Sequence, residues 1–242
     1  MFHNQTIYTV GTTPRGVTVV DVNSDNKPDI VITNFNTAAV GVLLNTGNGT
    51  FNAQTTYAVG YQPFSVAVVD VNSDSKPDII VVNYADDTAG VLLNTGTGTF
   101  NTQITYAVGD SPSGVAVVDV NSDNKPDIVV SNSDWNTVSV LLNTGTGTFN
   151  TQTTYPVIGS PYSVAVVDVN SDNKPDIVVA SFNTAAVGVL LNTGNGTFNA
   201  QTTYAVGTYP ISVVVTDVNG DNKPDIVCTN YADNTLSVLL HC

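Results

Sequence analysis

The chain has 242 residues, of which 20 are acidic, all of them aspartate, and 6 are Lys or Arg, so its formal net charge is -14. Because nucleic acids and anionic membrane surfaces attract clustered basic side chains, this balance argues against both as partners. The N-terminal residues lack the basic and apolar regions of a signal peptide, and no stretch of the chain is long and apolar enough for membrane insertion.

The predicted elements follow one another as copies of a 49-residue repeat. The first aspartate of an acidic stretch recurs at Asp21, Asp70, Asp119, Asp168 and Asp217. Two segments, 35–60 and 182–207, are identical over 26 residues, and no linker interrupts the series. Repeats without linkers indicate one continuous architecture, so we predict a single domain over residues 1–242.

Four strands follow one another in each repeat, as the fourth copy illustrates. SVAVVDV (163–169) alternates apolar and polar residues up to an acidic loop, and DIVVAS (176–181) follows that loop. VGVLLN (187–192) comes after a polar loop, and the turn TGNGT leads into FNAQTTYAVG (198–207). Val and Thr favour strands, and no segment has helical periodicity. The repeat therefore predicts an all-β fold with four antiparallel strands per unit, the size of a propeller blade.

The two ends of the chain each contain part of a repeat. Phe2 aligns with Phe51 and Tyr8 with Tyr57, so the chain starts with the fourth strand of a unit. It stops just after the third strand of the fifth unit. An open stack would leave two unpaired edges, whereas a ring lets the N-terminal strand complete the last blade. We therefore predict a five-bladed β-propeller that this N-terminal strand closes.

The acidic loop reads D-x-N-x-D-N-K-P-D, which places oxygen-bearing side chains at positions 1, 3, 5 and 9 and a backbone carbonyl at position 7. Ca²⁺ takes six to eight such oxygens in flexible geometry. The five loops hold 15 of the 20 aspartates and 5 of the 6 basic residues, so five Ca²⁺ ions would cancel their net charge. We predict up to five calcium sites, in which each lysine contributes its backbone carbonyl. The predicted ligands are Asp21, Asn23, Asp25, Lys27, Asp29, Asp70, Asn72, Asp74, Lys76, Asp78, Asp119, Asn121, Asp123, Lys125, Asp127, Asp168, Asn170, Asp172, Lys174, Asp176, Asp217, Asn219, Asp221, Lys223 and Asp225.

A metal-free alternative is that each loop is an Asx-rich turn, since Asp and Asn both favour turns. Position 6 bears on either reading, because it needs a sharp reversal of the backbone that Asn tolerates better than Ser. Ser75 occupies position 6 in the second loop, which makes that site the weakest of the five.

With these loops the chain resembles the FG-GAP or VCBS-type repeats of integrin α-subunit propellers and of many secreted proteins. In that family a D-x-D-x-D-G-x-x-D loop joins two strands of a blade and holds Ca²⁺. The resemblance implies a calcium-binding propeller that works outside cells or on their surface. This chain departs from the pattern at position 3, where Asn replaces Asp, and at position 6, where Asn or Ser replaces Gly, and both changes imply weaker binding.

The repeats differ most in two loops, one before the first strand and one between the second and third strands. In an antiparallel blade both loops lie on the face opposite the acidic loops. They are rich in aromatic side chains beside Asp and Asn, a combination that suits sugars. The candidate ligand-binding residues are Phe64, Tyr84, Asp86, Asp134, Trp135, Tyr162 and Tyr231. The alternative for the recurring rings, such as Phe35, Tyr84 and Tyr231, is that they pack between neighbouring blades.

Catalysis has little support in the sequence, which contains no glutamate and has its two histidines, His3 and His241, near the ends. No nucleophile has a recognisable base beside it. We therefore predict a monomeric, non-enzymatic binding module, and its resemblance to lectin propellers favours glycans as ligands. The alternatives are a protein-interaction or adhesion module and a purely structural repeat scaffold, natural or designed.

Overall fold

A computed structural model of the chain describes residues 5–241. In this range it contains four four-stranded antiparallel sheets, one three-stranded sheet, three short two-stranded hairpins and one 3-10 turn. The all-β prediction with four antiparallel strands per repeat is confirmed for the complete repeats. No helix in residues 5–241 is long and apolar enough to cross a membrane.

The strands have nearly the same bounds in each repeat. The first comprises β1 (Pro14–Val20), β2 (Asp29–Asn34), the 3-10 turn Phe35–Thr37, β3 (Ala39–Leu43), β4 (Asn45–Gly47), β5 (Thr50–Phe51) and β6 (Thr55–Ala58). The second comprises β7 (Pro63–Val69), β8 (Asp78–Asn83), β9 (Thr88–Leu92), β10 (Asn94–Gly96), β11 (Thr99–Phe100) and β12 (Ile104–Ala107). The third comprises β13 (Pro112–Val118), β14 (Asp127–Asn132), β15 (Thr137–Leu141) and β16 (Thr153–Pro156). The fourth comprises β17 (Pro161–Val167), β18 (Asp176–Ser181), β19 (Ala186–Leu190), β20 (Asn192–Gly194), β21 (Thr197–Phe198) and β22 (Thr202–Ala205), and the fifth β23 (Pro210–Thr216), β24 (Asp225–Asn230) and β25 (Thr235–Leu239).

Strand register places the acidic loops and the variable loops at opposite ends of each sheet. In the first sheet Val20 pairs with Asp29 beside the acidic loop, and Pro14 pairs with Asn34 beside the variable loops. The predicted separation of the two kinds of loop is therefore confirmed.

The fourth strand is shorter than predicted, because the phenylalanine expected to begin it belongs to a separate hairpin. Phe51 pairs with Asn45 across β4 and β5, and the strand that completes the sheet starts at Thr55. The equivalent Phe100 meets Tyr57 of the preceding repeat edge to face, with ring centroids 5.2 Å apart. The hairpin thus carries an aromatic ring onto the neighbouring sheet, a role that strand patterning does not indicate.

The sheets pack face to face in chain order, with their first strands innermost. β1 packs on β7, β7 on β13, β13 on β17 and β17 on β23. The second strands are buried on both faces, which explains their continuous apolar sequence: Ile79, Ile128 and Ile177 are all 0% exposed. Apolar clusters fill the spaces between successive sheets.

The two ends of the array differ from its interior. In the described part of the chain, β25 has no fourth strand beside it, and no comparable packing joins β23 to β1. Leu236 is 62% exposed, whereas Val187, its counterpart one repeat earlier, is 0% exposed. Residues 5–10 form no strand, and the predicted N-terminal strand begins at Phe2, outside the described residues. Ring closure and the number of blades thus remain predictions.

Candidate functional site

Each acidic loop is built from consecutive turns in which a side-chain oxygen accepts a backbone N–H two residues ahead. In the first loop Asp21 Oδ1 accepts from Asn23 at 3.2 Å, Asn23 Oδ1 accepts from Asp25 at 3.0 Å, and Asp25 Oδ1 accepts from Lys27 at 2.9 Å. The next three loops repeat this pattern. These are the Asx turns of the metal-free alternative, and they explain why Asp and Asn alternate here.

Position 6 adopts the left-handed backbone in every loop, with φ of 62° at Asn26 and 66° at Ser75. Ser75 therefore adopts a conformation that suits Asn or Gly better, as expected for the second loop. Position 4 is left-handed as well, and only the fifth loop has a glycine there, Gly220 with φ of 80°. That second reversal was not indicated by the sequence.

The aspartate at position 9 is fully buried in all five loops and ties the loop to the end of the third strand. Asp78 Oδ2 accepts the Val71 N–H at 3.0 Å, and its Oδ1 accepts the Asn94 N–H at 2.7 Å. Burial raises the pKa of Asp78 to about 6, and it raises the pKa of Asp127 to about 6 as well. Position 9 is thus a structural anchor besides being a predicted ligand.

The donor chemistry of the loops fits a hard cation. Asp21 Oδ1 and Asn23 Oδ1 accept the same Asp25 N–H at 3.2 and 3.0 Å, so the two oxygens converge. Asp21 Oδ2 and Asp25 Oδ1 each accept one N–H, at 2.7 and 2.9 Å, and keep a further lone pair. Lys27 Nζ lies 3.2 Å from Asp25 Oδ2 and competes for that oxygen. Over residues 5–241, no three or more His, Cys, Asp or Glu side chains are already grouped as a metal site. Calcium binding stays a prediction.

An asparagine at the end of the third strand links successive acidic loops. Asn94 Nδ2 donates to Val22 O of the preceding repeat at 2.8 Å and to Pro77 O at 2.9 Å. Asn143 and Asn192 make the same pair of contacts. This residue follows Leu-Leu in four copies and is His241 in the fifth, a regularity that could have revealed its role.

At the variable end, the innermost strands surround an axial pocket of about 360 Å³. One position of the repeat, the residue after the proline that begins each first strand, reaches this pocket from all five sheets. That position holds Arg15, Phe64, Ser113, Tyr162 and Ile211. The most varied position of the first strand therefore converges on one cavity, while the strands that carry it hardly change.

Aromatic rings form a continuous series beside the pocket. Phe64 stacks on Tyr84 with centroids 5.7 Å apart and meets Tyr162 edge to face at 5.6 Å. The Arg15 guanidinium carbon lies 4.5 Å from the centroids of both Phe35 and Phe64. The rings thus pack between sheets, as the packing alternative expects, and two of them also line the cavity.

The predicted ligand residues fall into three groups. Phe64 and Tyr162 line the pocket, with Tyr84 stacked on Phe64, while Asp86 and Asp134 brace the surrounding loops. Asp86 accepts the Tyr61 N–H at 2.7 Å, and Asp134 accepts the Ser111 hydroxyl at 2.8 Å. Trp135 and Tyr231 are 57% and 67% exposed and do not line the pocket.

Arg15, Ser113 and Ile211 were not predicted as site residues. Their signal in the sequence is their shared position in the repeat, which alternates among charged, aromatic, polar and aliphatic residues.

The model of the FG-GAP-like repeat matches residues 21–81, 70–130, 119–179 and 168–228. The chain belongs to the FG-GAP-like repeat family. Together with the face-to-face sheets, this match identifies a repeat β-propeller, as predicted. Each match runs from one acidic loop through the next, so the shared features are the loop and the strands around it.

Solved structures with the same fold include proteins of different activities. One is an Agrocybe aegerita lectin that recognises non-reducing terminal N-acetylglucosamine, 20% identical, with a TM-score of 0.57 over 88% of this chain and 60% of the lectin. Another is virginiamycin B lyase from Staphylococcus aureus, 15% identical, with a TM-score of 0.62 over 94% of this chain and 70% of the lyase. BBS1N, solved in complex with ARL6DN, is 12% identical, with a TM-score of 0.63 over 97% of this chain and 70% of that chain. No curated protein sequence matches the chain. At these identities the neighbours show the fold alone, and this chain spans between 60% and 70% of their lengths.

Proposed function

We propose that the protein is a non-enzymatic binding module that recognises a glycan in the axial pocket. The observation that carries the proposal is the convergence of one highly varied repeat position on a single cavity within a nearly invariant scaffold. Variation confined to a cavity is expected where a ligand is selected, because the scaffold needs only to hold the selecting side chains.

The chemistry of the pocket suits a sugar better than a reaction. Phe64 and Tyr162 offer ring surfaces, and Ser65 offers a hydroxyl group at the same cavity. Sugar C–H faces pack on aromatic rings while sugar hydroxyls exchange hydrogen bonds with polar groups. The lining contains neither a histidine nor a carboxylate for proton transfer, so the fold shared with virginiamycin B lyase does not favour a lyase activity here.

A glycan array with the wild-type protein and two pocket variants, Phe64→Ala and Tyr162→Ala, tests this function. We expect glycans that the wild type binds and both variants lose, while Ile104→Ala, on an outer strand far along the sheet, keeps them. Melting curves of all four proteins would exclude misfolding as the cause. Binding that survives both pocket substitutions would contradict the proposed site.

A second candidate function, binding of another protein, is favoured by exposed aromatic side chains around the variable loops. Tyr61, Trp135 and Tyr231 are 70%, 57% and 67% exposed, and aromatic residues are enriched in protein interfaces. An array without glycans bound, together with a protein ligand whose binding Trp135→Ala weakens, would favour this candidate over the first.

We also propose that the acidic loops bind Ca²⁺ and that the protein works outside cells, where millimolar Ca²⁺ fills weak sites. Support comes from the converging oxygens and from the concentration of aspartates in these loops. A ligand that binds only the folded state raises stability, so a chelator should lower the melting temperature markedly. Asp123→Asn should reduce this response, whereas Asp134→Asn, outside the loops, should leave it unchanged. Equal melting curves with and without chelator would contradict calcium binding.

Finally, we propose that the chain is one domain whose five sheets close into a ring. In each inner repeat a hairpin phenylalanine meets the preceding tyrosine, as Phe198 meets Tyr155 at 5.3 Å. Tyr204 lies beside a cavity of about 530 Å³ that is lined by Leu191, Ile226 and Leu240 among other described residues. Phe2 is the phenylalanine in register with this space, and the repeat would pair residues 6–9 with residues 235–238.

Cysteines placed at Ile7 and Ser237, in a chain whose own cysteines are replaced, test closure. Since these positions would be directly paired in the closed ring, oxidation should give an internally crosslinked monomer on a denaturing gel. A crosslinked dimer would show instead that these edges pair between two chains.

A further inference from the structure

Arg15 is the one arginine of the chain, and its location separates it from all other basic residues. The five lysines belong to the acidic loops, where four of them pair with an aspartate two residues earlier. Arg15 lies at the other end of the strands, at the axial pocket, and pairs with no carboxylate of residues 5–241. In a chain with a net charge of -14, an exposed cation without an acidic partner needs an explanation.

The rings beside Arg15 hold its guanidinium group without using its hydrogen-bond donors. The guanidinium carbon lies 4.5 Å from the centroids of both Phe35 and Phe64. Contact with ring faces uses the charge and the flat surface of the group, while the N–H donors point outward in its plane. Those donors form a fork that matches a carboxylate, which accepts two parallel hydrogen bonds.

The carboxylates nearest the axial pocket are held back from its lining. The lining of the axial pocket contains no aspartate. The five aspartates outside the acidic loops lie on the surrounding variable loops, and they are Asp86, Asp87, Asp110, Asp134 and Asp233. Asp87 and Asp233 accept backbone N–H groups at 2.9 and 2.6 Å, so they stabilise those loops in the same way as Asp86.

We infer that the axial pocket selects a saccharide residue that carries a carboxylate, such as a uronic acid. Its carboxylate would accept the two parallel hydrogen bonds from Arg15, and its ring would lie against Phe64 and Tyr162. The cavity of about 360 Å³ is at the small end of ligand sites, which suits one sugar residue. This inference rests on the proposed function for the sugar, while the selection of an anion rests on Arg15 alone.

Titration calorimetry of the whole protein in calcium-containing buffer tests the inference with glucuronate, glucose, glucose 6-sulfate and benzoate. Because hydrogen bonds to charged groups are the strong ones, glucuronate should bind at least about tenfold more tightly than glucose. Arg15→Met should abolish this preference, and Arg15→Lys, which keeps the charge but loses the fork, should retain part of it. Ala53→Asp makes the same change in net charge at the acidic-loop end and should leave the preference intact.

The possible outcomes separate this inference from the proposed function. Equal binding of glucuronate and glucose would overturn the inference and leave glycan binding in place. Tighter binding of the sulfate would overturn the choice of a carboxylate. Binding of benzoate and of neither sugar, lost in Arg15→Met, would support the anion site and overturn the glycan function. An unchanged preference in Arg15→Met would show that Arg15 only packs between the rings.

Discussion

The interior of the repeat array and its two ends have almost the same sequence but very different surroundings. Val140 on β15 and Val238 on β25 occupy the same position of the repeat, yet Val140 is 1% exposed and Val238 is 44% exposed. On β1, Val17 and Val19 are 63% and 60% exposed, whereas their counterparts in the second repeat are half-buried. The difference arises because each interior sheet is covered by the sheets before and after it, whereas within residues 5–241 an end sheet packs on one neighbour.

This contrast shows that stability in such an array is shared between repeats. An isolated repeat cannot cover its own second strand or satisfy its own carbonyl groups, so each interface supplies what the sheet alone lacks. The same dependence leaves two apolar faces at the ends, and the proposed ring would bring these faces together.

The largest effect is expected where an interior link is removed. Asn143→Ala takes away the donors to Val71 O and Pro126 O, at 2.8 and 2.9 Å, and leaves the buried Val71 carbonyl without this partner. An unsatisfied buried group costs about 1–3 kcal/mol, so we expect a loss of about 3 kcal/mol in the free energy of unfolding. Asn150→Ala, at an exposed loop position, is the matched control and should change it by less than about 0.5 kcal/mol. Denaturant unfolding measures both, and a cost below that of the control would mean that the link between loops contributes nothing.

A smaller loss of stability is expected from the same substitution at two equivalent valines, and comparing the two losses distinguishes a closed ring from an open one. Val140→Ala removes two buried methyl groups and should cost about 2 kcal/mol. In a closed ring a fourth strand and a neighbouring sheet would cover Val238, so Val238→Ala should cost nearly as much. If Val238→Ala proves nearly neutral, the last sheet is uncovered in solution and the ring is open.

A third pair of substitutions examines the first sheet instead of the last. Gly147 has φ of 71°, and an added Cβ would lie 2.8 Å from Leu93 Cδ2 of the preceding sheet. Gly49 has φ of 75° but meets nothing within 4 Å. Backbone strain alone should lower the free energy of unfolding of Gly147→Ala and of Gly49→Ala by about 1 kcal/mol each. The clash with Leu93 should lower that of Gly147→Ala by about 1 kcal/mol more. A closed ring would bring Leu240 against Gly49, so we expect equal costs in thermal unfolding.

These two pairs can disagree, and the disagreement is informative. If Val238→Ala is costly while Gly49→Ala shows only backbone strain, something other than the first sheet covers the last one. A second molecule would then be the first possibility to examine by sedimentation.

Much of the fold could be predicted because each of the four main strands of the repeat occurs four or five times. The continuous apolar sequence of β18 has a simple physical cause, because all six of its residues are buried. The β4–β5 hairpin was missed, because the sequence indicates a turn before Phe51 but not that Phe51 pairs back on Asn45 before the fourth strand begins at Thr55. Asn94 was also missed, since its partner Val22 is distant in sequence and only the packing of sheets brings them together.

The candidate site was harder to predict for a related reason. Phe64 and Tyr162 were recognisable as aromatic residues in variable loops, which is a local property. Arg15 acquires its role from Phe35 and Phe64 in two different sheets, and no local pattern indicates that they meet. Trp135 was singled out for being unusual in sequence, but an unusual residue on a loop need not reach the axial pocket.

The smallest effect concerns Cys228, which is only 1% exposed although it lies in the incomplete last sheet. Burial raises the pKa of its thiol to about 11, so the reactive thiolate is scarce at neutral pH even before access is considered. In a Cys242→Ser variant, we expect native protein to resist iodoacetamide at neutral pH and unfolded protein to react fully, as measured by mass spectrometry. Because alkylation needs the last sheet to open, its rate reports on that opening directly. The rate should fall further when Ca²⁺ is added if Asp217 and its neighbours bind the ion, and a calcium-independent rate would restrict the metal's effect to the interior repeats.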